Sequence, residues 1–364
     1  MIMKVEIITI TGETNYGNRL QNYAVEQTLK NLGVDVVTFN ACPLGFRALK
    51  FELKILIKYI IKRGNYFRDF RFISFNKFNR KYIHSVSKHL SDADFVVCGS
   101  DQIWNFTLNF SQERRDLYFA RFVPPEKRIA YSASIGADYI PKKYKTDFVK
   151  GIKEMKNISV REYKGADIIK TLTGRQVDVT LDPTLMLNKT QWIKIAKKPN
   201  YVKRKRKFIL TYFLGEVQST REDIRAYVNK IAKKYDLEIL SLYHEWTPKE
   251  YVINVKHFYT SPQEFVWLFA NCELVITDSF HGCVFSIIMD KPFRCFDRKE
   301  NGMQDMNSRM KSLFTLFNIP DYCYGRTDEN LDNIFKKNYK YVETVLQEEK
   351  RKANEYLKGA LNIE

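Results

Sequence analysis

An α/β fold of two successive doubly wound parallel-sheet units is predicted by three features of the sequence. Short β-branched apolar runs recur, most of them empty into loops of small polar residues that open helical stretches, and the alternation restarts after residue 200. The length of 364 residues supports two units, because a single hydrophobic core usually stops growing at about 250–300 residues. With 45% hydrophobic and 14% aromatic residues, there is apolar material for both.

The first unit is expected over residues 1–200. It opens with a strand from Val5 to Ile10, followed by Thr-Gly-Glu-Thr-Asn-Tyr-Gly-Asn from Thr11. In the helix that follows, Leu20, Tyr23, Ala24, Gln27 and Leu29 roughly keep the helical period, and Gly33 stops it before a second strand, Val34 to Phe39. The loop glycines Gly12 and Gly17 do not make the dinucleotide fingerprint, although such a loop can still present N–H groups to an anion.

From Phe46 to Tyr82 the chain is aromatic and basic. Lys50, Lys54, Lys58 and Lys62 recur at every fourth residue and fall on one side of a helix whose other side carries Leu53, Leu56, Ile57, Ile60 and Ile61. Such a helix either meets anionic headgroups or covers an ordinary core with a solvated basic face.

A strand from Asp94 to Cys98 runs into Gly99, Ser100, Asp101, Gln102, Ile103, Trp104 and Asn105. At the carboxyl edge of a sheet, Asp101 can contact substrate hydroxyls or cap a helix, and Trp104 can stack on a sugar or pack in the core. The strand Lys127 to Ala133 ends among small residues, Ser134 included, that let a ligand approach the backbone. Ile158 to Val160 runs into Arg161 and Glu162, where the arginine can grip a carboxylate or phosphate with two parallel hydrogen bonds or pair within the protein. After Gln176 to Leu181, Pro183 ends the strand and leaves Asp182 facing the other loops. Trp192 to Lys207, with five consecutive cationic residues from Lys203, reads as a charged connector.

The second unit is expected over residues 201–330, with strands Phe208 to Phe213 and Glu238 to Leu242 and helices near Glu222 to Tyr235 and Pro262 to Asn271. Its centre is Leu274 to Met289: a strand at Leu274 to Ile276, a break and cap at Thr277 to Ser279, and a buried helix at Val284 to Met289. His281 therefore sits at a strand-to-helix turn, the edge where ligands bind in open parallel sheets. It can exchange protons beside a phosphate or carboxylate, or simply hydrogen-bond the turn. A short strand at Arg294 to Phe296 and a helix near Arg309 to Phe317 follow. Residues 331–364, helical from Asp332 to Leu361, are expected to cross back to the first unit.

Composition excludes some classes. Cys42, Cys98, Cys272, Cys283, Cys295 and Cys323 form no Cys-x-x-Cys pair and no metal-ligand spacing with histidine, so neither a disulfide scaffold nor a metal is expected. No run reaches the roughly 18 apolar residues of a spanning helix and the start reads as a strand, which predicts a cytoplasmic protein, with the inner membrane face as a second location should the basic segment touch lipid. The net charge of +18 favours acidic partners in general. No nucleic-acid partner is expected, because the basic residues form no known binding motif.

Taken together the loops resemble the polysaccharide pyruvyl transferase family. The pieces are Asn-Tyr-Gly-Asn-Arg-Leu-Gln-Asn-Tyr-Ala from Asn15, Gly-Ser-Asp-Gln-Ile-Trp-Asn from Gly99, Ser-Ala-Ser-Ile-Gly from Ser132, Ser-Val-Arg-Glu from Ser159, Asp-Pro-Thr from Asp182 and Thr-Asp-Ser-Phe-His-Gly from Thr277. The resemblance implies a GT-B-like fold, two Rossmann-like domains facing a central cleft. It also implies transfer of pyruvate from phosphoenolpyruvate, as donor substrate and with no cofactor, onto two hydroxyls of a sugar in capsule, exopolysaccharide or cell-wall glycan assembly. Arg161 matches the arginine held to bind the donor, and His281 the histidine held to move a proton; Asp101 joins them as a catalytic candidate. Asn15, Tyr16, Gly17, Asn18, Arg19, Gly99, Ser100, Trp104, Ser134, Asp182, Ser279, Gly282, Lys299 and Arg309 are the expected substrate-binding residues. The acceptor is a sugar, either free or lipid-linked, and peripheral contact with an anionic membrane goes with the second case.

The chain departs from the family at one place. Many members carry Arg-x-His where this chain has Ser279-Phe280-His281, so a second cation is missing, and Arg19, Arg298, Lys299 and Arg309 are the candidates to replace it. A GT-B glycosyltransferase using a nucleotide sugar is the alternative activity.

Overall fold

A computed structural model describes residues 2–11, 14–40, 50, 52–57, 61, 66–202, 206–217, 221–242, 260–298, 308–320, 323–337 and 339–364. The first domain runs β1 (Lys4–Ile8), α1 (Tyr16–Asn31), β2 (Asp35–Phe39), α2 (Tyr66–Tyr82), β3 (Ser85–Val86), β4 (Phe95–Asp101), α3 (Gln112–Tyr118), β5 (Arg128–Ala133), α4 (Lys145–Glu154), β6 (Asn157–Val160), α5 (Tyr163–Thr173), β7 (Asp178–Val179) and α6 (Lys189–Ile193). The second runs β8 (Phe208–Tyr212), α7 (Arg221–Tyr235), β9 (Glu238–Leu242), α8 (Pro262–Asn271), β10 (Leu274–Thr277), α9 (Phe280–Ile288), β11 (Phe293–Cys295) and α10 (Ser308–Leu316); a final helix, α11, spans Val342–Leu361.

Every pairing within the two sheets is parallel. The first sheet has the order β3-β2-β1-β4-β5-β6-β7 and the second β11-β10-β8-β9. This is the doubly wound, GT-B-like arrangement: the winding reverses between β1 and β4 in one sheet and between β8 and β10 in the other. Helices α2 to α6 have no counterpart among the sequence-based expectations. Aromatic and charged residues crowd α2, whereas α4 and α5 do keep a helical period, burying Phe148, Gly151 and Ile152 in one and Gly165, Ile168 and Ile169 in the other.

Local chemistry explains several boundaries. Asn15 caps α1 by accepting from the Asn18 amide, and Ser261 with Glu264 forms a capping box on α8, where Pro262 supplies a preset first turn. The last helix starts at Val342, ten residues later than expected, because Leu331–Asn333 forms a 3₁₀ turn instead.

Three packed regions position the site. One face of the first sheet packs Val5, Ile7, Val97 and Ile129 against Val25 and Leu29 of α1 and against Ala353, Leu357 and Leu361 of α11. Tyr356 adds a hydrogen bond to the Ala130 carbonyl, 2.7 Å. The other face buries Trp104 with Phe119, Phe148 and Ile152. A third cluster joins the domains: Tyr16, Phe78, Leu185 and Trp192 from the first meet Tyr212, Phe265 and Phe285 from the second. Trp192 is fully buried there, with its ring 5.0 Å from Phe285 and its indole N–H bonded to the Thr184 carbonyl at 3.1 Å. The connector reading fails at this end, since Trp192 belongs to an interdomain core; Lys203, Arg204 and Lys205 lie outside the described residues.

Helix 52–57 is turned differently from the expectation. Ile55 and Glu52 face inward, with Glu52 paired to Arg80 at 2.7 Å, while Leu53, Leu56, Ile57 and Ile61 are exposed. Lys58, Ile60 and Lys62 lie outside the described residues. Among the described residues no helix is long and apolar enough to cross a membrane.

Candidate active site

The two winding reversals bring four loops together at the carboxyl ends of both sheets. At the first, Asp101 closes β4 with φ +89°, a left-handed conformation that costs a non-glycine residue about 1–3 kcal/mol. The strain aims its carboxylate at the start of α1, where the Asn18 side-chain amide donates to it, while its other oxygen accepts from the Gln102 amide at 2.8 Å.

The junction of the site is Asp182. Its side chain is fully buried and accepts from Arg161 Nη1 at 2.6 Å, from the Thr184 amide at 2.9 Å and from the Thr184 hydroxyl at 2.5 Å, with Ser100 Oγ at 3.5 Å. His281 Nε2 lies 3.5 Å from the same carboxylate and comes from the second domain. Burial by itself would raise the Asp182 pKa, but His281, Arg161 and Thr184 outweigh it and hold the carboxyl well below the usual range. Asp182 is thus a fixed anion through which the domains meet.

His281 is held by shape. Ser279 caps α9 by accepting from the Gly282 amide at 3.3 Å, and the Ser279 amide donates to Thr277 Oγ1 at 3.0 Å. A Cβ added to Gly17 would stand 2.0 Å from His281 Nδ1, so that glycine lets α1 pack against the ring, and one on Gly282 would stand 2.4 Å from Thr277 Oγ1, so that glycine lets the first turn of α9 close on the end of β10. Only 8% of His281 is exposed, and its Nε2 has no hydrogen bond despite the nearby carboxylate. The site is therefore more enclosed than the open mouth expected from a strand-to-helix turn.

Beside Arg161 lies a small cleft of about 30 Å³, lined by Tyr163, Asp182, Phe280, Arg309 and Ser312 among others. The guanidiniums of Arg161 and Arg309 lie 4.6 and 5.9 Å from the Phe280 ring centroid. With its amide oxygen turned inward, Gln102 accepts from both terminal nitrogens of Arg309 at 2.9 Å. Burial and the neighbouring Arg161 push the Arg309 pKa down to about 9.

The remaining expected residues divide. Gly17, Ser100, Ser279 and Gly282 border the Asp182 and His281 junction as described, while Asn18 meets Asp101 and Asn15 caps α1. Gly99 lies within β4, and a Cβ there would touch Ile7 at 3.6 Å. Ser134 donates to Glu162 Oε1 at 3.2 Å, and the same oxygen accepts from the Ile135 and Gly136 amides, so Glu162 shapes that loop. Arg19 is buried and donates to the Ile10 carbonyl and to Asn18. Two expectations are corrected. Trp104 is fully buried, stacked 5.3 Å from Phe119 and bonded to the Tyr118 carbonyl, and has no face to offer a sugar. Tyr16 stacks 4.8 Å from Phe265 and donates to the Thr260 carbonyl, joining the domains and not lining the cleft. Lys299 lies outside the described residues.

Sequence reasoning passed over Gln102, Phe280 and Asp278, though each adjoins a residue it did name. Asp278 accepts from the Leu214 and Gly215 amides at 2.7 and 3.0 Å and from Arg298 Nε at 2.7 Å. Among the described residues no group of three His, Cys, Asp or Glu side chains is placed to hold a metal.

The family model described as polysaccharide pyruvyl transferase matches residues 15–300. No curated protein matches the chain. Similar solved structures include a UDP-N-acetylglucosamine 2-epimerase from Rickettsia bellii, with 10% identity and TM-score 0.49 over 100% of this chain and 98% of that one. A Neisseria meningitidis UDP-GlcNAc 2-epimerase bound to UDP-GlcNAc has 12% identity and TM-score 0.43 over 95% and 100%. A Streptomyces nogalater glycosyltransferase has 12% identity and TM-score 0.40 over 98% and 95%.

Proposed function

The chain belongs to the polysaccharide pyruvyl transferase family, and from that premise we propose that it moves pyruvate from phosphoenolpyruvate onto two hydroxyls of a glycan sugar, forming a ketal in surface polysaccharide assembly. One observation carries the reading: Arg161 of the first domain and His281 of the second converge on the buried Asp182 carboxylate, at 2.6 and 3.5 Å. An anion-gripping residue and a proton-transfer residue are thereby fixed within one small site.

The reaction asks for those two roles. A proton is added to the methylene carbon of the donor while a sugar hydroxyl, losing its proton, bonds to C2. The C2–O bond to phosphorus then breaks, phosphate leaves with the bonding pair, and a second hydroxyl closes the ketal and releases its proton. One hydroxyl proton replaces the proton taken up at carbon and the other leaves with phosphate. His281 serves one of these transfers. Asp182, held ionised and closed off by Arg161 and Thr184, positions both partners and does not meet sugar hydroxyls; Asp101, half-buried at the end of β4, is the carboxylate that orients them.

The nucleotide-sugar alternative is disfavoured by Asp278. Its carboxylate takes the Leu214 and Gly215 amides at the end of β8, the groups a diphosphate would use at that reversal. In this reading the acceptor is presented on a lipid carrier: Leu53, Leu56, Ile57 and Ile61 stand 41–57% exposed on the same short segment as Lys50 and Lys54, a surface suited to anionic headgroups at the inner membrane face. Liposome pelleting with no preference for anionic lipid removes that part.

The deciding assay incubates the protein with phosphoenolpyruvate and a panel of diol glycosides. Acceptor-dependent phosphate release with a product mass of acceptor plus pyruvate less water is expected. Nucleotide release from a UDP-sugar, with no turnover of phosphoenolpyruvate, overturns the proposal.

A further inference from the structure

Arg309 is an expensive residue to keep where it is. It is buried, it has no ion pair among the described residues, its Nε has no hydrogen bond, and its two terminal nitrogens share one neutral acceptor, the Gln102 amide. Burial and repulsion by Arg161 and Arg298 work against its charge and outweigh the attraction of Glu162 and Asp101. Arg161 is partly neutralised by Asp182 yet also keeps Nε and Nη2 without hydrogen bonds. Two buried like charges with unspent donors, both over the Phe280 ring and both on the wall of one cleft, are not by themselves a stabilising arrangement. They are what an anion with two charged ends requires.

Of the other candidates for the missing cation, Lys299 lies outside the described residues, and Arg298 and Arg19 have fallen away on geometry. Arg298 is spent on Asp278, donating from Nε at 2.7 Å and from Nη2 to its carbonyl at 3.1 Å. Arg19 points to the Ile10 carbonyl and Asn18 behind α1.

We propose that Arg309, carried by α10 of the second domain, completes with Arg161 of the first a two-arginine cradle for the carboxylate and phosphate of the donor, with Phe280 as its floor and Gln102 as the residue that aims Arg309. The cradle rests on the phosphoenolpyruvate reading above and supplies, from a helix 28 positions downstream of His281, the charge that Ser279 cannot. Because the two arginines belong to different domains, donor binding also cancels the repulsion across the cleft.

The test compares Arg309→Ala, Arg309→Lys and Arg309→Met with the wild type, each checked for folding by circular dichroism. Turnover and direct phosphoenolpyruvate binding by calorimetry are both measured. Arg309→Ala is expected to weaken donor binding about 10- to 100-fold, the range for a lost hydrogen bond to a charged group, with a rise in KM larger than the fall in kcat. Arg309→Lys recovers part of the loss, and added guanidinium rescues Arg309→Ala. Arg309→Met is expected to weaken the donor equally while raising the melting temperature of the unliganded protein, since it removes a repelled buried charge. A purely structural arginine predicts the reverse, a lowered melting temperature with donor affinity kept, and that result overturns the cradle. If the wild type turns over phosphoenolpyruvate and Arg309→Ala binds it unchanged, the cradle is wrong and the activity stands. If the wild type neither binds nor turns over phosphoenolpyruvate, the activity reading falls, and the cradle with it.

Discussion

Replacing Asp182 by asparagine removes the one charge that both domains share while keeping the size of the side chain. In the wild type the carboxylate accepts from Arg161 Nη1 at 2.6 Å and from both donors of Thr184, and it faces His281 Nε2 at 3.5 Å. The amide can still satisfy Thr184 through its oxygen, but its N–H₂ group then turns toward Arg161, donor against donor. Breaking a buried pair in this way costs about 3–5 kcal/mol, because the surviving guanidinium stays buried without its counter-charge. Neighbouring Glu162, 3.9 Å from Arg161 Nε, recovers little of it. The pH dependence has a definite sign. The folded-state pKa of Asp182 is depressed, so its stabilisation is present above the unfolded carboxylate pKa of about 3.9 and is lost as pH falls through the lower folded value. Urea titrations of both proteins from pH 3 to pH 8 are expected to differ by a constant amount above about pH 5 and to converge toward the acid end. Equal stability at pH 7, or a gap that persists undiminished at pH 3, refutes the claim that an ionised Asp182 fastens the site.

Three further outcomes follow from the same geometry. His281→Gln is expected to lower kcat by about 10²–10⁴-fold with little change in KM for the donor, measured as acceptor-dependent phosphate release; an unchanged kcat removes His281 from proton transfer. Gly17→Ala places a methyl 2.0 Å from His281 Nδ1 and is expected to cost about 1–3 kcal/mol and most of the activity, read by thermal melts beside rate assays. Tyr356→Phe leaves the Ala130 carbonyl short of its 2.7 Å donor and is expected to lower stability by about 1 kcal/mol in urea with turnover intact, since α11 packs on the far face of the sheet.

The parts of the site that were legible in the sequence share a cause. Arg161 and Asp182 directly follow apolar runs, Asp101 closes β4 and His281 sits in the first turn of the helix after β10, and residues at those places in a parallel sheet are carried to the carboxyl edge whatever the rest of the chain does. Trp104 shows the limit. It follows a strand in the same way, but α3 and α4 bring Phe119 and Phe148 over it, and nothing within ten residues of Trp104 announces that cover. The short segment of Leu53, Leu56 and Ile57 misled for a related reason: period 3.6 defines a face, and only the packing of Ile55 and of the Glu52–Arg80 pair says which face turns inward.

Strand and helix alternation, two domains and the residues at the strand ends were written in local periodicity and punctuation, which survive without knowledge of neighbours. Strand order was not, since local periodicity does not say beside which strand a crossover sets the next one, and strand order is what sets β1 beside β4 and β8 beside β10. Above all, the sequence offered four cations for the charge absent at Ser279 with no means of ranking them. Arg309 stands out only when α10 folds back over Phe280, because burial, a shared ring with Arg161 and the lack of an ion pair among the described residues are properties of an arrangement in space and of no stretch of chain.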